Sequence, residues 1–150
     1  MLRQKLNTFI LLLFFCVFSS QAETLNKFKE TLASYQGKVI YVDFWASWCS
    51  PCRKSFPWLN TMQQQYADKG FIVLSINLDA KYSQAQSFLA ETPANFPIIY
   101  DPKGKIAKAL KVQGMPSSLL YNRKGELIAR HVGFNEKKQL KYTKEIRHLF

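Results

Sequence analysis

Two cysteines stand three residues apart in Val42 Asp43 Phe44 Trp45 Ala46 Ser47 Trp48 Cys49 Ser50 Pro51 Cys52, where a run of buried-strand character passes directly into a CxxC. Thiols at this spacing share one face of a first helical turn, close enough to bridge. The unpaired backbone N–H groups of such a turn favour a thiolate over a thiol. Cys49 is therefore the candidate nucleophile and Cys52 the candidate resolving thiol of a dithiol/disulfide pair. The polar and charged neighbours Ser47, Ser50, Arg53 and Lys54 indicate a turn that reaches water, and positive charge beside a thiol lowers its pKa further.

The same spacing also serves metal and haem chemistry, and the remaining residues speak against both. Covalent haem attachment needs His directly after the second cysteine, where this chain has Arg53; a structural zinc site needs four ligands, and His131 and His148 stand at no ligand spacing. Two soft thiolates could also hold Cu(I), but no Met or His cluster lies near the pair in sequence. Neither a metal nor an organic cofactor is expected. Asp43 is the other residue with chemical promise. It sits mid-strand among apolar neighbours, where an unpaired carboxylate is costly and burial raises its pKa.

The elements that must hold these groups are preceded by an export signal. Arg3 and Lys5 lead into the apolar stretch Phe9 to Phe18, followed by Ser19 Ser20 Gln21 Ala22, a pattern that fits a signal peptide over residues 1–22 and a mature start at Glu23. An uncleaved anchor is the alternative, although the stretch falls short of the about 20 residues a membrane span needs. Cys16 lies inside the stretch and leaves with it. The exported chain then carries only Cys49 and Cys52, so its one disulfide is the exchangeable one. Residues 23–150 suffice for one domain with a proper core. Two of the 21 basic residues and none of the ten acidic ones fall within residues 1–22, so this domain carries a net +9. That charge suits acidic partners or anionic headgroups. Nucleic acid is not expected, because the protein is exported and the lysines fall at helix-surface spacing.

Apolar periodicity predicts an opening helix over Thr24–Tyr35, a central parallel strand over Val39–Phe44, and the CxxC helix from Ser50 to Ala67, with Pro57 inside it and Lys69 Gly70 closing it. A strand over Phe71–Asn77 completes a parallel crossover. Then come a helix over Tyr82–Glu91, a short strand over Phe96–Tyr100, a turn at Asp101 Pro102 Lys103 Gly104 and a helical stretch over Ile106–Leu110. After Gly114 Met115 Pro116, strands Ser117–Tyr121 and Glu126–Val132 form a hairpin through Asn122 Arg123 Lys124 Gly125, and Glu136–Leu149 closes the chain as an amphipathic helix.

The run WASWCSPC, with an aromatic before the first cysteine and a proline between the two, resembles the thioredoxin superfamily and in particular its secreted TlpA/ResA-like branch. The resemblance implies a thioredoxin-like α/β fold, a central mixed sheet flanked by helices, with a central insertion over the segment from Tyr82 to Leu110. It implies a cis peptide bond before Pro116, packed against the CxxC, which leaves the Met115 backbone free to pair with an extended client. It implies that Asp43 relays a proton to or from Cys52. Trp48, with a flat apolar face, and Ser50, Pro51 and Met115 are the residues expected to meet the client, whereas Trp45 reads as packing. The implied activity is extracytoplasmic thiol:disulfide exchange on disulfide-containing client proteins, more often reducing than oxidising, with a membrane thiol electron donor and a monomeric enzyme. A disulfide-donating oxidase, a copper-handling protein and a non-catalytic binding module on the same fold stay open as alternatives. Ser117 and Ser118 follow Pro116 where cytochrome-maturation relatives carry an acid.

Overall fold

A computed structural model describes residues 23–150; the segment expected to be the signal peptide, with Cys16, lies outside the described residues. Helix α1 covers residues 23–34. It is followed by β1 (Val39–Trp45), α2 (Ser50–Tyr66), β2 (Phe71–Asn77), α3 (Tyr82–Glu91), β3 (Ile98–Tyr100), α4 (Lys105–Ala109), β4 (Ser117–Tyr121), β5 (Leu127–Val132) and α5 (Glu136–Arg147). The five strands form one mixed sheet in the order β3-β2-β1-β4-β5. Strands β1, β2 and β3 run parallel, and β4 and β5 are antiparallel to their neighbours.

Every residue of β1 is buried, as a central strand covered on both faces requires. Its alternation splits the core in two. Val39, Tyr41 and Trp45 face a cluster built with Cys52, Phe56 and Leu59 of α2, Phe88 of α3 and Tyr142 and Ile146 of α5. Ile40, Val42 and Phe44 face a second cluster with Phe28 of α1 and Ile106 of α4. Asp43 falls in the first series, on the face that also carries Cys49 and Cys52. A ring cluster pins α2 and α3 to this face: Trp45 lies 4.7 Å from Phe56 and 5.1 Å from Phe88, centroid to centroid.

The predicted elements are all present, with differences at their ends. Helix α2 runs through Pro57 and passes into a 3-10 turn over Ala67–Lys69, which Gly70 closes at φ 76°, a conformation glycine adopts without penalty. The strand expected from Phe96 is only Ile98–Tyr100, because Phe96 turns into the core against Phe56 and pairing starts at the Pro97 carbonyl, which accepts from Ser75 N–H. Glu126 belongs to the hairpin turn rather than to β5, since the Asn122 side chain accepts from its N–H. Helix α5 ends at Arg147, short of Leu149. Between β2 and β4 the chain inserts α3, β3 and α4, and β3 takes the edge of the sheet beside β2.

Candidate active site

Cys49 and Cys52 are joined in a disulfide, with their Cα atoms 5.2 Å apart. Cys49 is the N-cap of α2, held extended, with Pro51 supplying the pre-set φ of a first turn. The Cys52 backbone N–H points at Cys49 Sγ, 3.3 Å away. This is the orphan donor that stabilises a thiolate when the bridge opens. Cys52 is fully buried and Cys49 6% exposed, while Ser50 and Pro51 between them are exposed and Trp48 stands 66% open to solvent. Arg53 follows the pair directly and is exposed. Its guanidinium donates to the Ser47 carbonyl and to Glu91, and lies over the Phe88 ring.

Asp43 is 3% exposed, and its Oδ2 finds no hydrogen-bond partner among the described residues. Burial without compensation pushes its pKa from 3.8 up to about 7. A carboxyl poised near neutrality can both take and return a proton at ambient pH. The peptide bond from Met115 to Pro116 is cis. Pro116 is buried and Met115, half-buried, packs against the cluster that contains Cys49 and Cys52. The structure thus brings Asp43, Cys49, Cys52 and Met115 to one face of the sheet.

One contributor escaped the sequence reading. Asp79 is 2% exposed and accepts from Ser47 N–H and Oγ, the latter at 2.8 Å, and from Asn77 Nδ2 at 2.8 Å. It ties the loop that carries Trp48 to the end of β2. Its signal lay in the parallel pairing: Trp45 is in register with Asn77, so whatever follows β2 emerges beside the CxxC loop.

Residues 18–146 match the Redoxin family. The chain belongs to the Redoxin family. Within it the chain is 31% identical over 119 residues to the thiol-disulfide oxidoreductase ResA of Bacillus thuringiensis subsp. konkukian, covering 79% of this chain and 69% of ResA. It is 33% identical to the thioredoxin-like protein YneN of Bacillus subtilis, covering 79% of this chain and 70% of YneN. Among solved structures, a candidate thiol:disulfide interchange protein DsbE from Chlorobium tepidum is 47% identical, with a TM-score of 0.77 over 79% of this chain and 84% of that one. The expected resemblance to ResA-like oxidoreductases and the thioredoxin-like fold are met. This Redoxin protein is a thiol:disulfide oxidoreductase of the Cys49/Cys52 type. Among the described residues no helix is long and apolar enough to cross a membrane.

Proposed function

We propose that the protein reduces client disulfides outside the cytoplasm. Cys49, as thiolate, attacks one sulfur of a client disulfide; a mixed disulfide forms and the client's other sulfur leaves as thiolate. Asp43 takes the proton from the Cys52 thiol, and Cys52 attacks Cys49 Sγ, closing the bridge and releasing the client's second thiolate. The client is reduced by two electrons and the protein oxidised by two. Pro116 keeps the Met115 backbone open to an extended client segment, and Trp48, Ser50 and Pro51 offer the exposed contact surface around the bridge. The protein acts as a monomer, exported by its first 22 residues, and a membrane thiol donor returns it to the dithiol.

The observation that carries this reading is the pairing of a buried carboxyl, its Oδ2 without a hydrogen-bond partner among the described residues, with a fully buried resolving cysteine on the same face of the sheet. A buried thiol needs a nearby base to become a nucleophile, and Asp43 is the acid poised to be one. The test is the reduction potential of the Cys49/Cys52 pair, by equilibration of purified protein against glutathione or dithiothreitol. A value near about −270 mV supports the reductant. One near about −120 mV makes the protein a disulfide donor and overturns the proposed direction.

A further inference from the structure

If Asp43 takes a proton from Cys52 in every cycle, that proton must reach solvent from a carboxyl that is only 3% exposed. This inference rests on the proton-acceptor role proposed above. Asp43 has two direct cross-strand partners, Ser75 on β2 and Ser118 on β4. The β2 side is closed, because Ser75 Oγ is held by Trp45 Nε1 at 2.5 Å and Ser75 itself is fully buried. The β4 side leads outward. Ser118 Oγ and Tyr41 Oη are 2.6 Å apart, and His131 Nδ1 lies 3.2 Å from the first and 3.4 Å from the second. On the other edge of the ring, Nε2 meets Glu145 Oε2 at 2.6 Å, and Glu145 has a third of its side chain in solvent.

Each of these groups can accept one proton while giving up another. Directly opposed residues on antiparallel strands hold their Cβ atoms about 5 Å apart, so Asp43 and Ser118 are within reach of one water or one rotamer change. The His131 ring stacks on Tyr142 at 3.8 Å between centroids, which fixes its plane with one nitrogen toward the hydroxyl pair and the other toward Glu145. The titratable and charged groups around His131 are Tyr41 on β1, beside Asp43, and Lys141, Tyr142 and Glu145 on α5.

We propose that Ser118, His131 and Glu145, with the Tyr41 hydroxyl, form the relay through which Asp43 exchanges its proton with solvent. The carboxylic acid passes its proton to Ser118 Oγ as the proton of the hydroxyl pair moves to His131 Nδ1. The Nε2 proton passes to Glu145 and on to water, leaving Asp43 ionised and the ring neutral. Among the described residues His131 is the group bonded both to the buried hydroxyls and to Glu145, which makes it the bottleneck. These are positioning and relay groups for Asp43, not groups that react at the sulfurs.

The test is a double-mixing pH jump with Ellman's disulfide. Its first released thionitrobenzoate reports attack by Cys49, and the second reports resolution by Cys52. Reduced protein is held acid of the Asp43 midpoint, jumped alkaline of it, and mixed with the reagent after a variable delay. In wild type the second phase is independent of the delay. In His131→Phe, which keeps a ring against Tyr142, and in Glu145→Gln, at the solvent edge, the second phase at the shortest delay is on the order of tenfold slower than at the longest. Delay-independent second phases in both variants overturn the relay. Glu145→Gln reports even if the buried substitution fails to fold. Asp43→Asn separates the two readings: if its second phase keeps the wild-type rate and pH profile, the Asp43 assignment itself fails, whereas slowing in Asp43→Asn alone leaves that assignment standing and removes only the relay.

Discussion

Asp43 and Asp79 are buried to the same degree, 3% and 2% exposed, one inside β1 and the other just past β2, yet their surroundings are opposite. Asp79 is enclosed by donors: Ser47 N–H, Ser47 Oγ and Asn77 Nδ2. Asp43 sits among strand side chains with one oxygen unpartnered, and burial drives its pKa up to about 7. Burial alone therefore does not make an acid chemical. What separates them is whether the fold supplies donors to the charged form. Asp101, 1% exposed, repeats the Asp79 pattern, its carboxylate accepting from the backbone N–H groups of Lys105, Ile106 and Ala107 and so starting α4.

This contrast can be broken by substitution. The largest effect expected is that of Asp43→Asn on resolution by Cys52, a loss of about 100-fold measured as the second phase with Ellman's disulfide. In wild type that phase rises with pH through a midpoint near 7, as the carboxylate forms, and the variant lacks that rise. A comparable rate and profile in Asp43→Asn would remove the distinction between the two acids.

Stability gives the next largest effect, with a definite sign. Between pH 3.8 and about 7 the unfolded chain has released the Asp43 proton while the folded protein retains it, so the folded state binds more protons and loses stability as pH rises. The loss from this group is absent below pH 3.8 and complete above about 7, on the order of 4 kcal/mol in all. Denaturant melts of the oxidised protein across this range should show that fall, and Asp43→Asn should flatten it. Asp79→Ala acts through lost hydrogen bonds instead. Stripping the acceptor from Ser47 and Asn77 costs about 3 kcal/mol. The same melts check it, and an unchanged midpoint would mean that these bonds do not hold the loop. The smallest effect is that of Asp101→Asn, which keeps an acceptor for the first turn of α4 and costs about 1 kcal/mol, with the rate of disulfide exchange unchanged.

Much of this was legible from residue order because it depends on local pattern. The strand-to-helix handover at Cys49, the burial of Asp43 and the glycine stop at Gly70 each follow from a few neighbouring residues. Periodicity placed Tyr82–Glu91 and Ser117–Tyr121 at their observed bounds. The errors at Phe96, Glu126 and the end of α5 fall at element ends, where a single tertiary contact or turn hydrogen bond outweighs propensity. Arg53 shows the same limit within the site. Its position beside the pair gave no hint that its guanidinium would meet Glu91, 38 residues on.

By itself the sequence determined the chemistry of the sulfur pair, the order of the elements and the burial of Asp43, because these follow from spacing, turn geometry and the apolar run that flanks it. Only the tertiary structure decided which polar groups meet. Ser47 finds Asp79 across 32 residues, and Ser118 finds Tyr41 across 77. His131, without ligand spacing in sequence, becomes the link between a buried hydroxyl pair and Glu145. A buried polar group takes whatever partner the packed sheet brings within hydrogen-bond distance, and that choice is made by strand register and helix docking.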